Sequence, residues 1–305
     1  MDSESSILLP KKMNAAKAWL LAARPKTLPV SFPPIILGTA LASTQVEQLS
    51  WFIIFCTLIC SLSIQIGTNL INDAIDFKKG ADACNRLGPK RMTQEGLLSY
   101  NQVLRTGCLC FVFALLFGIP LMITGGWPLA AVLLISVLCG YCYTGGPFPL
   151  AYIGVSDIFI LIFFGWVSTA SVFYLLTGRV DLFVFIAATQ IGLLAIVPHA
   201  INNLRDYVSD TAVGKKTLAV RFGPQFARWE ITLLSLLPFA LGLFWLSQDT
   251  RWMAGLPLLA LPPIIQNLKM IWQTDPSPLY NGYLAKSALC QLYFSILLAI
   301  AVVVS

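Results

Sequence analysis

The chain has 305 residues, 57% of them apolar and 11% charged, with a mean hydropathy of +0.77 and a net charge of +6. A soluble globular domain carries about 25% charged residues, so a water-soluble enzyme or a nucleic-acid-binding module is excluded. Repeated apolar runs of about 20 residues, each long enough to cross the hydrocarbon core, predict an all-α polytopic membrane protein.

Residues 1–27 read as a polar N-terminal segment. Its first 18 residues are mixed in charge, and no secretory leader is expected there. Residues 14–27, NAAKAWLLAARPKT, read as a short amphipathic helix on the membrane surface with Trp19 as its anchor. From 28 to 305 the pattern predicts a single transmembrane bundle of nine helices, at about 28–46, 51–72, 102–123, 128–144, 152–177, 181–202, 228–248, 252–272 and 284–304. Most connections are short. Loops 73–101 and 203–227 are long for a bundle, which marks them as functional.

Nine spans put the termini on opposite sides, and the cations say which side is which. Of the 20 Lys and Arg residues, only Arg179 and Arg251 fall opposite the N-terminus and the two long loops. The positive-inside rule therefore places the N-terminus and both loops in the cytoplasm. The eight cysteines lie mostly inside apolar runs. Cys139 and Cys142 form a lone CxxC with no second pair and no nearby His, which reads as packing rather than metal binding.

Each long loop opens with acids at the end of an apolar run. The first is NLINDAIDFKKGAD, with Asn72, Asp73, Asp76 and Asp82; the second is NNLRDYVSD, with Asn202, Asp206 and Asp210. In both, an Asn at i and an Asp at i+4 share one helical face. Asp210 continues that face by a turn, and Asp82, beyond Gly80, is expected to fold back from the loop. Asp73 is out of phase with the pair. One such cluster reads most simply as solvated loop acids, but two matched clusters on one side predict a joint site. Mg²⁺ takes oxygen ligands, commonly one or two carboxylates plus substrate phosphates. Asp76, Asp82, Asp206 and Asp210 are thus candidate metal ligands that face a diphosphate from two walls. Lys78, Lys79, Arg91, Arg205, Lys215 and Lys216 are candidate clamps for its remaining oxygens. A diphosphate so held can ionise from an allylic carbon, and an electron-rich ring can capture the cation. A long prenyl tail would meanwhile lie among the helices.

These residues give the chain its likeness to a known group. RPKTLP at 24–29, NDAIDFKKGAD at 72–82, GPKRMTQEG at 88–96, YIGVSDIFILIFFGW at 152–166 and NNLRDYVSDTAVGKKTLAVRFG at 202–223 resemble the UbiA superfamily of membrane prenyltransferases, most nearly its dihydroxynaphthoate branch. The resemblance implies a nine-helix fold and a Mg²⁺-dependent transfer of a polyprenyl group from an allylic diphosphate to 1,4-dihydroxy-2-naphthoate, with loss of CO₂. It also implies a site in the cytoplasmic (inner) membrane, with Asn72, Asp76, Asp82, Asp206, Asp210 and Lys215 as catalytic groups. Arg24, Lys26 or Arg91 would meet the acceptor carboxylate, and Asn202 would join the substrate-facing set. One departure stands out: Tyr143–Pro147, YTGGP, lacks the basic residue expected there.

Several residues have two readings. Tyr143 is a substrate contact or an interfacial anchor. Asp157 is a functional carboxylate within a span or a helix–helix hydrogen-bonding group. His199 is a base for the acceptor's proton or a packed side chain. Phe111–Phe117 and Phe159–Phe164 line a prenyl tunnel or face lipid. Rival functions are a 4-hydroxybenzoate or 1,4-dihydroxy-6-naphthoate prenyltransferase and, from another class, an ion-coupled transporter. A transporter's carboxylates would lie near the midplane on broken helices, whereas these acids lie at span ends.

Overall fold

The computed structural model describes residues 14–80, 87–89, 91–147, 149–248 and 250–305. Asp82 lies outside them. The described residues are helical throughout their ordered elements, with no strand. A surface helix α1 (Ala15–Ala22) leads to a shorter apolar helix α2 (Leu28–Ser43). Seven helices long and apolar enough to cross a membrane follow: α3 (Trp51–Lys78), α4 (Tyr100–Cys142), α5 (Ser156–Thr177), α6 (Leu182–Ala212), α7 (Leu218–Gln248), α8 (Arg251–Gln273) and α9 (Tyr280–Val304).

Seven such helices stand where nine spans were expected, for two reasons. Helix α2 is shorter than a full crossing, and α4 covers two expected spans in one 43-residue element. That element is folded at Gly126, whose φ of 68° and ψ of −160° lie outside the helical region and whose next neighbour but one is Pro128. Its limbs, 100–125 and 127–142, run back along each other. Gly140 lies against the Phe111 ring, although a straight helix would hold these residues roughly 40 Å apart.

The ends of the elements follow from their sequence. Ser99 and Gln102 form a reciprocal capping box at α4. Asp181 caps α6 through the Val184 N–H, and Thr217 caps α7 through the Val220 N–H. Both long loops prove shorter than expected. Helix α3 carries its acidic residues to Lys78, and α6 continues to Ala212, so most of 203–227 is helical. The paired Asn and Asp residues ride on helical extensions and not on loops.

Helices α6 and α9 are the innermost. Buried residues make up 67% and 61% of their apolar stretches, against 22–33% for the other crossing helices. Leu194, Phe173, Trp245, Ile264, Phe294 and Leu298 share the largest core cluster around them. Gln190 of α6 donates to the Pro238 carbonyl at 2.8 Å and accepts from Trp245 Nε1 at 2.9 Å, so this buried amide is satisfied on both atoms. The exterior is apolar: Phe52, Phe55, Leu109, Ile123 and Leu138 stand exposed. In water this would be a costly surface; against lipid it is the expected one. Trp51, Trp127 and Trp252 are exposed at the ends of the helices remote from the acids, as an interfacial aromatic girdle requires.

Candidate functional site

The last three turns of α3 bury Asn69, Asn72, Asp73 and Asp76. Each is held differently. Asn69 donates to the Ala23 carbonyl at 3.1 Å, fixing the turn ahead of α2. In that turn Arg24 has a φ of 56°, the sole positive value outside glycine among the described residues. Such backbone strain tends to gather at functional sites. Asp73 accepts from the Met92 N–H at 3.3 Å and from the Thr93 hydroxyl. It thereby clamps the 91–93 segment to the helix and sets Arg91 in place. Arg91 Nη2 then donates to Asn72 Oδ1 at 3.2 Å and to Asp76 Oδ2 at 3.0 Å. The phase difference in the sequence is real: Asp73 holds the scaffold, and Asn72 with Asp76 faces inward.

The other oxygen of Asp76 accepts from the Tyr152 hydroxyl at 3.0 Å. The Tyr152 ring is flanked by Lys79 Nζ at 4.7 Å and Lys215 Nζ at 5.1 Å from its centroid. Tyr152 belongs to the short helix Leu150–Ile153, which is docked on the loop after α6. The Lys216 N–H donates to the Tyr152 carbonyl at 2.9 Å, and Arg221 Nη2 to the Ile153 carbonyl at 2.8 Å. Gly154 permits this docking twice over. Its φ is 76°, and a Cβ there would lie 2.2 Å from the Lys216 carbonyl oxygen. One tyrosine thus links both acidic segments. No spacing rule pointed to it.

On α6, Asp206 and Asp210 are buried one turn apart. Arg205 is 1% exposed and grips Asp206 with both Nε and Nη2, at 2.8 and 2.6 Å. It also donates to Asn202 Oδ1 at 2.7 Å and to Asn281 Oδ1 of α9 at 2.6 Å. Asp210 pairs with Lys215 at 3.0 Å.

Both walls open onto one cavity of about 350 Å³. It is lined at this end by Arg24, Asn72, Asp76, Arg91, Tyr143, Asn202, Asp206, Asp210 and Lys215. The expected facing of the two clusters is therefore present in the geometry. Other expected contacts are not. Arg205 is turned into the α6–α9 contact and does not line the cavity, because the buried Asp206 and two amides already take its donors. Lys26, Lys79 and Lys216 are exposed and off the lining. Lys79 donates instead to the Thr144 carbonyl at 2.7 Å, bringing charge to the segment that has none of its own. Asp157 sits behind the lining, with Oδ1 3.8 Å from His199 Nε2. Burial pushes the Tyr143 phenol above its ordinary pKa, against the opposing pull of Arg24.

Beyond the polar end the cavity runs down α3 as far as Thr57, about 28 Å at 1.5 Å per residue. Ile64, Leu133, Phe159, Phe163, Phe164 and Leu175 are among its walls. Of the two Phe-rich runs, only 159–164 reaches it; Phe111 is packed between α3 and α4. Thr57 and Ser136 spend their hydroxyls on carbonyls of their own helices, at 2.8 and 2.7 Å, which leaves the lumen less polar than its residue types imply. A turn of π-helix at Leu161–Val167 shapes this wall.

No group of three or more His, Cys, Asp or Glu gathers as a ready metal centre among the described residues. The donor set nevertheless suits Mg²⁺. It is all oxygen, it is divided between two walls, and each carboxylate oxygen that accepts one hydrogen bond keeps a further lone pair. Ions held partly by substrate phosphates need no closed cage.

Comparison with known proteins agrees with this geometry. The model of the UbiA prenyltransferase family matches residues 31–303. A 1,4-dihydroxy-2-naphthoate octaprenyltransferase of Escherichia coli (strain K12) is 36% identical, over 87% of this chain and 89% of the relative. The protein of the same name from Haemophilus influenzae is 30% identical over 96% and 99%. Among solved structures, a UbiA homolog from Aeropyrum pernix K1 superposes with a TM-score of 0.68 at 15% identity, over 92% of this chain and 98% of that one. A UbiA homolog from Archaeoglobus fulgidus bound to GPP and Mg²⁺ gives 0.63 at 18%, over 94% and 100%. With its family model, its relatives and its fold in accord, this multi-pass membrane protein belongs to the UbiA prenyltransferase family.

Proposed function

We propose that the protein transfers a polyprenyl group from an allylic polyprenyl diphosphate to 1,4-dihydroxy-2-naphthoate, with decarboxylation, in the synthesis of menaquinone. The observation that carries this reading is the single cavity whose polar end joins Asn72 and Asp76 to Asn202, Asp206 and Asp210, and whose apolar length suits a prenyl tail. The names of the Escherichia coli and Haemophilus influenzae relatives support the acceptor.

Asp76, Asp206 and Asp210, with Asp82, would hold Mg²⁺, which would supply positive charge to the diphosphate leaving group. Arg91 and Lys215 offer cations to the same oxygens. Arg91 is buried beside Asn72, so its charge acts where water is scarce and counts for more. Arg24 reaches the lumen beside Tyr143 and meets the acceptor carboxylate. Phe159, Phe163 and Leu133 line the tail's path, which keeps water from the cation that forms. The protein works in the inner membrane, with its N-terminus and polar cavity mouth toward the cytoplasm, where its cations concentrate.

The test is incubation of purified protein in lipid with Mg²⁺, one prenyl diphosphate and, in separate arms, 1,4-dihydroxy-2-naphthoate, 1,4-dihydroxy-6-naphthoate and 4-hydroxybenzoate. Mass spectrometry should find a decarboxylated prenyl product in the first arm. A product only in another arm would replace the acceptor, and no product in any arm would remove the reaction.

A further inference from the structure

Tyr143 and His199 line the cavity and Asp157 lies behind them, the three forming a line of polar side chains. His199 Nδ1 lies 3.3 Å from the Tyr143 hydroxyl; its Nε2 lies 3.1 Å from the Asn203 amide and 3.8 Å from Asp157 Oδ1. Both ring nitrogens therefore face protein groups, so of the two members that line the lumen Tyr143 is the one that offers a hydroxyl to a substrate. Asp157 Oδ1 is buried and has no hydrogen-bond donor. A buried carboxylate oxygen in that condition is costly and calls for an explanation. His199 Nε2 stands 3.8 Å from it, beyond hydrogen-bond reach but within ion-pair distance, so charge on the imidazole offsets that of the carboxylate, while a proton on Nε2 is accepted by the Asn203 amide turned to present its oxygen. That tautomer leaves Nδ1 as acceptor for the Tyr143 O–H. An acid orienting an imidazole whose far nitrogen faces a hydroxyl is the general arrangement for moving a proton.

We propose that Tyr143, backed by His199 and Asp157, is a proton relay that takes the acceptor's hydroxyl proton during coupling and then returns it. The proposal rests on the reading that the acceptor is a hydroxylated aromatic acid. The acceptor hydroxyl gives its proton to Tyr143 Oη as Tyr143 passes its own to His199 Nδ1. The imidazolium so formed faces the Asp157 carboxylate. The ring oxyanion drives electrons onto the neighbouring carbon, which bonds to the allylic carbon as the C–O bond to diphosphate breaks. The carboxylate on that ring carbon leaves as CO₂, and its bonding pair restores the aromatic ring. The proton then returns from Nδ1 through Tyr143 to the ring oxygen, so none is consumed. Tyr143 is the catalytic residue; His199 and Asp157 act through it.

Other charges bear on the relay. Asp210 and Lys215 act on His199, Arg24 and Asp76 on Tyr143, and Asp157 in turn acts on Glu230 of α7. Lys215 and Arg24 oppose a proton on the relay, and the carboxylates favour one.

The experiment compares wild type with Tyr143→Phe, His199→Gln and Asp157→Asn in lipid vesicles, measuring kcat, KM for the prenyl diphosphate and the pH profile. Tyr143→Phe and His199→Gln should each lower kcat about a hundredfold, with that KM changed less than about twofold. Wild-type kcat should fall toward low pH as the imidazole fills before it can accept; His199→Gln should lose that limb, and Asp157→Asn should move it. An acceptor with a ring halogen, whose hydroxyl is more acidic, should recover part of the loss. Tyr143→Phe removes one oxygen and nothing else, so it tests the relay even if His199→Gln does not fold. Retained kcat in Tyr143→Phe, or an unchanged acid limb in folded His199→Gln, would overturn the relay. If wild type prenylates only a different hydroxy-aromatic acid, the acceptor assignment fails while the same variants test the relay on that acid.

Discussion

Asp76 and Asp206 each have both oxygens engaged, yet by different partners. Asp76 is shared between Arg91 and Tyr152, whereas Asp206 is held by Arg205 alone. Asp76→Asn and Asp206→Asn should both lower product formation by about a hundredfold or more, since each removes a charge from the proposed metal and diphosphate site. Initial rates in membranes at limiting Mg²⁺ check this. Arg205→Met should behave otherwise. It leaves Asp206 buried and uncompensated, at a cost of about 3–5 kcal/mol. The expected signature is a lowered melting temperature in detergent, with the KM for prenyl diphosphate changed less than the stability. At this scale the inward-facing Asn and Asp residues were legible, because i and i+4 share a helical face. Arg205 was not. A cation beside an acid looks alike in sequence whether it faces a ligand or locks its neighbour, and here Asn281, far away in the chain, decides the matter. Tyr152 was hidden for the same reason: its neighbours Asp76, Lys79 and Lys215 come from two segments remote from it in the chain.

Among the elements, the short helix Leu150–Ile153 carries more than its length suggests. It bridges α3 to the loop that bears Lys215, and its C-terminal Gly154 makes the approach possible. Gly154→Ala should displace that loop and lose about 1–3 kcal/mol through its positive φ alone, along with most of the activity. Gly255→Ala is the control. Nothing stands within 4 Å of a Cβ there, and alanine is the better helix former by about 1 kcal/mol, so stability should hold or rise. Thermal melts of the two variants decide. Hydropathy located the crossing helices but drew the boundaries short at α3, α6 and α7. The scale reads lipid solubility, and a helix stabilised by its own polar partners continues past the point where lipid ends. The fold-back at Gly126 was legible, since the Gly-Gly-Trp-Pro stretch that interrupts the hydropathy pattern is where the backbone leaves the helical region and the two limbs turn back on each other.

For the whole molecule, the split of cations between the two ends predicts its orientation. A single cysteine at Lys216→Cys should react with an impermeant thiol reagent only from the cytoplasmic face, and one at Arg179→Cys only from the other. Native Cys108 is exposed and would first be replaced. The reverse pattern would invert the assignment.

The tryptophan girdle fixes a depth as well as a face. Measured from Trp51 along α3, Asp76 stands about 37 Å away at 1.5 Å per residue, whereas the hydrocarbon is about 30 Å thick. The reacting end therefore sits in the headgroup layer, and the diphosphate never has to enter oil. Such a catalyst is matched to one thickness of membrane. In vesicles of long-chain lipid the thicker hydrocarbon should reach toward the acids, with only partial relief from local thinning of the bilayer, and turnover should fall. Short-chain lipid should leave turnover close to its native value. A series of bilayers graded only in acyl length would trace that dependence directly.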